Sequence, residues 1–307
     1  MNNCVVATLP SLKYRRYLLR RVVAVICQRL IRLGSWKIAV KRTVNARSLR
    51  FELRDHTQCL FFFGVSPEPE NSALIRAIGE AAGGDLIDVG ANFGQQPFEV
   101  WKSFRKIVLV EPNGEAARFL RDLFQNAFNV EILEAGASDR VGEATLFFPD
   151  EKQSGVARIG ANSEGLKIAL TTIDEILRTR ALLPSLIKID VEGFEEQVIR
   201  GAEETLKEHL PILAFECEDE KQFEKCKGLL PRSCDFYHIY SDVRPALHKS
   251  DQVGPVVRSL VVGSRTYVSK IDKISGYLSL IYAVPEERQE AFQKGLKALS
   301  ASGVDFD

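Results

Sequence analysis

Two short apolar runs in this chain break into acidic residues and glycine, a pattern that can support chemistry on a small ligand. The first is LIDVGANFG at residues 86–94, and the second is IKIDVEGFE at residues 187–195. In an open parallel sheet, ligands bind outside the carboxyl ends of the strands, which is where both runs place their polar residues. We therefore predict that the two runs end side by side at one site.

The first run predicts a tight turn against a nucleotide-like ligand. Gly90 and Gly94 allow the backbone to approach such a ligand closely. The spacing is not Gly-x-Gly-x-x-Gly, so the pyrophosphate site of a dinucleotide is not reproduced and NAD is disfavoured. A second apolar strand at residues 106–110 ends in Glu111, 21 residues after Gly90. Carboxylates at this place in such folds commonly hold ribose hydroxyls, so Glu111 is the predicted ribose ligand.

At this point the chain resembles a known family, the FkbM-type methyltransferases, which use S-adenosylmethionine. The resemblance covers roughly residues 70–285 and rests on five motifs in the family's order. These are DVGANFG at 88–94, EPN at 111–113, AGASD at 135–139, TID at 172–174, and KIDVEGFE at 188–195 followed by Gly201-Ala202. The resemblance implies methyl transfer to a hydroxyl of a carbohydrate, glycolipid or secondary-metabolite acceptor. Two alternatives stay open: a binding or scaffold protein without turnover, and a nucleotide-dependent oxidoreductase.

The resemblance also implies a set of cofactor contacts. Asp88 would fix the turn or the methionine amino group, Asn92 would supply a polar contact, and Asn113 with Ser138 or Asp139 would lie near the adenine. The full set of predicted cofactor-binding residues is Asp88, Gly90, Ala91, Asn92, Gly94, Glu111, Pro112, Asn113, Ser138 and Asp139.

Asp190 is the predicted catalytic base, because it ends a strand beside the cofactor, where desolvation can raise the pKa of a carboxyl group. Lys188 lies on the same strand and would be costly there without a partner, so it is expected to pair with Asp190, Glu192 or Glu216. We include all four residues in the predicted catalytic group. The alternative is a structural ion-pair network that only holds the strand ends together.

No metal site is required by the sequence. Asp139, Asp190 and Glu216 can supply the oxygen ligands that Mg²⁺ prefers, so a magnesium site remains an alternative. The four histidines, His56, His209, His238 and His248, show no zinc-ligand spacing. The TID motif is expected to open a helix capped by Thr171, Thr172 or Asp174.

The charge distribution is asymmetric, although the formal net charge of the 307 residues is zero. Residues 1–50 contain 12 Lys or Arg and no Asp or Glu, which leaves 29 basic against 41 acidic residues in the remainder. Residues 13–33 predict a helix with Leu19, Val22, Val23, Ile26, Leu30 and Leu33 along one face. This helix is expected either to attach peripherally to anionic lipid or to dock on the acidic part of the same chain.

Nucleic acid is not a predicted partner, because no aromatic stacking platform accompanies the arginines. The N-terminal apolar run is too short to span a bilayer, and no cleavage site of a signal peptide follows it. The six cysteines form no C-x-x-C pair and no disulfide framework. We expect a cytoplasmic protein, with the cytoplasmic face of a membrane as its place of attachment if the helix binds lipid.

Alternating strands and helices after residue 70 predict an α/β fold of the Rossmann-like class I methyltransferase type. Its sheet is expected to be mostly parallel and seven-stranded, with helices on both faces. Strands at 36–40, 49–53 and 59–63 would form an antiparallel lead-in, and the polar stretch 150–165 would be either an acceptor lid or a surface loop. The predicted units are 1–34, the basic helix; 35–69, the β lead-in and linker; 70–285, the methyltransferase domain; and 286–307, a C-terminal helix and tail.

Overall fold

A computed structural model describes residues 4–9, 14–34, 36–147, 158–160, 165–230, 233–241 and 266–302 of the chain. Its strands and helices alternate over most of this length. In chain order the elements are β1 (Cys4–Leu9), α1 (Tyr14–Leu33), β2 (Ala39–Val44), β3 (Arg47–Glu52), α2 (His56–Phe62), α3 (Pro69–Ala82), β4 (Asp85–Val89), α4 (Gln95–Val100), β5 (Lys106–Val110), α5 (Gly114–Leu123), β6 (Val130–Leu133), β7 (Gly136–Ala137), β8 (Gly142–Phe147), β9 (Arg158–Gly160), β10 (Leu166–Thr171), α6 (Ile173–Thr179), β11 (Pro184–Ile189), α7 (Glu195–Arg200), α8 (Glu203–Glu208), β12 (Ile212–Cys217), α9 (Glu220–Gly228), β13 (Cys234–Ser241), β14 (Thr266–Ile271), β15 (Leu278–Pro285) and α10 (Gln289–Ser302).

Within the described residues, the main sheet has nine strands in the order β1-β14-β13-β15-β12-β11-β4-β5-β6. The five strands from β12 to β6 are parallel to their neighbours, and β15 then runs antiparallel to β12. This arrangement confirms the predicted α/β class with a mostly parallel sheet. The sheet exceeds the expected seven strands because β14 pairs with β13 and the N-terminal β1 pairs with β14.

The central strands are buried on both faces, as their apolar runs require. Every residue of β4, β11 and β12 is buried. Because successive side chains of a strand point to opposite faces, Leu86 packs into the core on one side of the sheet and Ile87 into the core on the other. Helices α3 and α5 cover the first side, and α6 to α9 cover the second.

The lead-in to the main domain is a two-stranded antiparallel sheet, β2 with β3, followed by a helix. The prediction of a strand at 59–63 is therefore wrong. Asp55 caps the helix by accepting a hydrogen bond from the Gln58 backbone N–H at 2.9 Å, and Cys59, Leu60 and Phe61 are buried on its inner side. An apolar run of this length fits a buried helix as well as a strand, and here the cap residue decides between them.

Helix α1 docks on the domain through a buried face formed by Tyr17, Ala24, Gln28 and Ile31. The predicted apolar face of this helix points away from the domain. In the described parts of the chain, no helix combines the length and the apolar character needed to cross a bilayer.

A second, small sheet has the order β7-β10-β8-β9. The predicted pairing around 144–148 and 166–170 is present as antiparallel β8 and β10. Of the polar stretch 150–165, only residues 158–160 and 165 are described, and β9 pairs with β8 there. The rest of the predicted lid or loop lies outside the described residues.

The TID motif caps two helices. Thr172 caps α6 by accepting a hydrogen bond from the Glu175 backbone N–H at 2.9 Å. It is one of the three cap residues that the sequence offers. Asp174 instead accepts hydrogen bonds from the backbone N–H groups of Glu204 and Thr205 at the start of α8. The motif thereby joins α6 to α8 beside the last turn of α7.

Candidate functional site

The loop after β4 is a left-handed turn that brings its backbone against the end of β11. Gly90, Asn92 and Gly94 have φ angles of 82°, 50° and 76°. A Cβ atom on Gly90 would lie 1.8 Å from the backbone oxygen of Asp190, so only glycine fits between the two strand ends. Asp190 in turn donates its backbone N–H to the oxygen of Val89 at 3.0 Å. The two acidic runs therefore meet side by side, as predicted from the sequence.

Glu111 organises this turn from the neighbouring strand β5. Its carboxylate accepts hydrogen bonds from the backbone N–H of Asn92 at 2.7 Å and from that of Asn113 at 2.8 Å. Burial raises the pKa of Glu111 to about 7, although these two backbone donors oppose the shift. A carboxyl group with this pKa changes its charge near neutral pH, which makes it sensitive to a ligand that donates hydrogen bonds to it.

Lys188 is buried in the middle of the sheet between two carboxylates. Its Nζ lies 3.1 Å from Asp88 Oδ1 and 3.3 Å from Asp190 Oδ2. Burial lowers the pKa of Lys188, but the charges of Asp88 and Asp190 outweigh it and raise the pKa above its usual value. Asp190 is one of the partners expected for Lys188, whereas Asp88 was not expected. The pairing with Asp88 follows from register, because Lys188 stands directly opposite Asp88 in the parallel pair of β11 and β4.

Three carboxylates converge at the ends of β11 and β12. Asp190, Glu192 and Glu216 each offer an oxygen atom, and these atoms lie within 4.8 Å of one another. Asp139, which the sequence offers as a magnesium ligand together with Asp190 and Glu216, is not in this group. Asp139 Oδ1 instead accepts a hydrogen bond from the Ser138 hydroxyl at 3.0 Å. Oxygen ligands at this spacing are compatible with a hard cation, but three acidic side chains also meet without one.

Glu216 differs from the other two carboxyl groups because it is buried. Burial first, and then the charge of Asp190, raise the pKa of Glu216 to about 10, although the Tyr277 hydroxyl donates a hydrogen bond to it. Glu216 therefore keeps its proton at neutral pH and presents a carboxylic acid rather than a carboxylate. The cluster combines a neutral acid with carboxylates, an arrangement suited to donating and accepting hydrogen bonds at the same time.

Glu195 holds the turn after β11 in place through hydrogen bonds to its backbone. It is buried at the start of α7, and its Oε1 accepts hydrogen bonds from the backbone N–H of Val191 at 3.1 Å and of Gly193 at 3.2 Å. Glu192, between these two donors, has a φ angle of 55°. Glu195 thus holds the turn that carries Glu192, and its buried carboxylate has a positioning role in addition to its favourable place at a helix start.

A cavity of about 320 Å³ lies over these strand ends, within the size range of small-ligand sites. The predicted residues that line it are Gly90, Ala91, Asn92, Gly94, Glu111, Pro112, Lys188, Asp190, Glu192 and Glu216. Four other predicted residues, Asp88, Asn113, Ser138 and Asp139, are not among its lining. Asp88 is behind it in the pair with Lys188, and Asn113 caps α5 through a hydrogen bond from the Glu115 backbone N–H.

Other residues line the cavity that sequence reasoning did not select. Tyr277 is 60% exposed although it stands next to the buried strand β15. Gln95 and Gln96, at the start of α4, follow the glycine turn directly, a position that could have marked them as ligand contacts. Their Oε1 atoms are buried and have no hydrogen-bond donor among the described residues. His56 reaches the cavity from α2, which no local pattern indicates.

The sequence comparisons identify one family. The model of the methyltransferase FkbM domain matches residues 88–251, more than half of the chain and the whole stretch between the two acidic runs. No curated protein sequence is significantly similar to the chain.

Several solved structures resemble the chain at low identity. A methyltransferase FkbM from Methylobacillus flagellatus is 16% identical with a TM-score of 0.38, and the match covers 66% of this chain and 43% of that one. The precorrin-6y C5,15-methyltransferase of Geobacter metallireducens is 12% identical with a TM-score of 0.37, over 67% and 84% of the two chains. The N-methyltransferase NodS of Bradyrhizobium japonicum, in complex with S-adenosyl-L-homocysteine, is 9% identical with a TM-score of 0.35, over 71% and 88%. The chain thus spans less than half of the Methylobacillus protein.

Proposed function

The chain belongs to the FkbM methyltransferase family, and on this premise we propose that it transfers a methyl group from S-adenosylmethionine to a hydroxyl group of a polyhydroxylated acceptor. Carbohydrates, glycolipids and hydroxylated secondary metabolites are the acceptor classes with this chemistry. The observation that carries the proposal is the convergence of Asp190, Glu192 and Glu216 in the lining of the cavity, next to the glycine turn.

The described residues fit the cofactor. Glu111 has lone pairs left after its two backbone contacts and can accept hydrogen bonds from ribose hydroxyls. The unpartnered amide oxygens of Gln95 and Gln96 are buried acceptors at the same wall, and a ligand that carries an ammonium group and hydroxyls supplies the missing donors. Gly90 and Ala91 line the cavity, so a bound ligand would lie beside the turn.

When bound, the cofactor supplies an electrophilic methyl group on a sulfonium and leaves as a neutral thioether. The chain has to align the acceptor oxygen with that methyl group, exclude water and take up the hydroxyl proton. We assign Asp190 as the group that accepts this proton. Its side chain is 37% exposed and lines the cavity, and Lys188 holds its Oδ2. On transfer, the acceptor oxygen would gain the methyl group and lose its proton to Asp190.

The remaining groups of the cluster are suited to holding the acceptor. Glu192 accepts hydrogen bonds from hydroxyl groups, and protonated Glu216 can donate one to a neighbouring oxygen. Tyr277 offers an exposed aromatic face at the same cavity, with its hydroxyl fixed by Glu216. An acceptor with several adjacent hydroxyls and an apolar ring face would satisfy all of these groups at once.

Calorimetry tests the cofactor. S-adenosylmethionine and S-adenosylhomocysteine are expected to bind, and NAD is expected not to bind. Binding of NAD alone would favour the oxidoreductase alternative. Binding of the sulfur cofactors without turnover on any acceptor fraction would favour a binding or scaffold protein.

Turnover with methyl-labelled cofactor tests the acceptor. Cell extract separated into lipid, glycan, protein and small-molecule fractions is supplied to the enzyme, and label is expected in a glycan, lipid or small-molecule product as an alkali-stable ether. Asp190→Asn is expected to lower turnover by about 10²- to 10⁴-fold, the usual contribution of a general base, and to leave cofactor binding intact. Asp122→Asn, at an exposed carboxylate of α5, is the matched control. Label in protein alone would contradict the proposed acceptor class. Full turnover by Asp190→Asn would contradict the assignment of Asp190 as the base.

A further inference from the structure

The outward face of α1 is apolar from Leu19 to Leu33. Six large side chains on it are between 36% and 83% exposed: Leu19, Val22, Val23, Ile26, Leu30 and Leu33. With 3.6 residues per turn, these six fall in one stripe roughly 100° wide. The stripe lies opposite the face through which the helix docks. A surface helix of a globular protein normally has the reverse pattern, with its apolar stripe turned to the core.

The helix is held in this orientation by contacts along its inner face. The Tyr17 hydroxyl donates to the backbone oxygen of Ser66 at 2.6 Å, and Cys59 Sγ donates to the oxygen of Ala24 at 3.7 Å. Gln28 Oε1 lies 2.9 Å from Nδ1 of His56. Since these inner groups are buried and bonded, rotating the helix to bury the stripe would break all three contacts.

The charges around the stripe are of one sign. Arg20 and Arg29 are exposed at its two edges, and residues 1–50 contain 12 basic and no acidic residues. Directly after the helix, Trp36 is 58% exposed and is followed by exposed Lys37. Basic residues beside an apolar stripe, with a tryptophan at its end, match the headgroup region of an anionic bilayer, where tryptophan is enriched and lysine and arginine meet lipid phosphates.

We propose that α1 docks the enzyme on an anionic phospholipid surface. The helix lies in the plane of the interface, the six side chains of the stripe enter the boundary between headgroups and acyl chains, and the basic residues contact the phosphates. A hydrophobic partner protein would not explain the arginines at both edges of the stripe or the lack of acidic residues in positions 1–50. Charge complementarity therefore favours lipid.

Docking through α1 also places the cavity close to the lipid. His56 lines the cavity and is bonded to Gln28 on the inner face of α1, so one side-chain contact separates the docking helix from the cavity wall. An acceptor carried on a lipid would reach the site from this side. This consequence rests on the proposed function, whereas the docking of α1 does not.

Vesicle sedimentation of the full chain tests the docking. The vesicles contain phosphatidylcholine alone or an equal mixture with phosphatidylglycerol. We expect at least about tenfold stronger binding to the anionic vesicles, since each basic residue near such a surface contributes a several-fold gain, and we expect high salt to remove most of this difference. The double variant Ile26→Asp/Leu30→Asp should lose binding. Val141→Asp/Leu183→Asp changes two equally exposed side chains outside α1 and should bind like the wild type.

A second variant guards against a folding defect. Arg20→Gln/Lys37→Gln leaves the stripe intact and should weaken binding to anionic vesicles while removing part of the salt dependence. Equal sedimentation of the wild type and the Ile26→Asp/Leu30→Asp protein would overturn the proposal. A wild-type dimer in light scattering that becomes a monomer in this variant would also overturn it, and would assign the stripe to a second copy of the chain. Methyl transfer to a soluble acceptor serves as the separate readout of the proposed function, which failure of docking would leave unchanged.

Discussion

Cofactor affinity is expected to depend on pH through one residue, Glu111. Both carboxylate oxygens of Glu111 already accept a backbone N–H, and burial raises the pKa of Glu111 to about 7. A proton on either oxygen would compete with one of these hydrogen bonds or with a ribose hydroxyl. The proposed cofactor contact therefore favours the ionised form, and binding should release a proton below neutral pH.

The size of the effect follows from the fraction of ionised carboxyl groups. With a pKa of about 7, about one Glu111 in eleven is ionised at pH 6 and about ten in eleven at pH 8. The dissociation constant of S-adenosylhomocysteine should thus fall about tenfold between pH 6 and pH 8. The folding stability of the unliganded protein should change in the opposite direction and fall as the pH rises. Its folded state favours the protonated carboxyl, so the contribution of Glu111 to stability is complete below the unfolded value of 4.5 and is lost as the pH rises through about 7.

Titration calorimetry in two buffers with different ionisation enthalpies measures both the affinity and the number of protons released. Glu111→Gln is the matched control, because the amide cannot ionise and any remaining slope belongs to other groups, including the amino group of the ligand. Its affinity should be lower than that of wild type by about 1–3 kcal/mol, since the amide NH₂ cannot accept one of the two backbone N–H groups. Identical pH slopes for the two proteins would refute the assignment of Glu111 as the ribose ligand.

Three further predictions concern residues that stabilise the fold at or near the site. Lys188→Met removes the cation between two carboxylates and should lower the free energy of unfolding by about 3–5 kcal/mol, as denaturant titration would show; a change of less than about 1 kcal/mol would mean that the pair is not desolvated. Gly90→Ala places a Cβ 1.8 Å from the oxygen of Asp190 at a φ of 82° and should yield insoluble or strongly destabilised protein, whereas Gly142→Ala, with no atom within 4 Å, should melt within a degree or two of wild type. Asp174→Ala removes the acceptor for two backbone N–H groups of α8 and should cost about 1–2 kcal/mol in thermal unfolding, and an unchanged melting temperature would show that water replaces the cap.

The sequence determined the parts of the site that are local in the chain. Apolar runs that break into acidic residues and glycine predicted buried strands with reactive ends. The positive φ angles of Gly90 and Gly94 are those that a glycine turn requires. The place of Glu111 beside that turn also followed from spacing, because neighbouring parallel strands in a βαβ unit end at the same edge. These features depend on a few consecutive residues or on one strand-to-strand step.

Only the tertiary structure decided which distant residues meet. Lys188 pairs with Asp88 because the register of β11 against β4 sets them opposite each other, and Tyr277 reaches Glu216 because β15 pairs with β12. The same holds for the apolar stripe of α1. Helical periodicity showed that its six side chains share one face, but the contacts of the inner face determined that this face is turned outward. Periodicity reports the relation between neighbours along one element, whereas register and burial depend on energies summed over elements far apart in the chain.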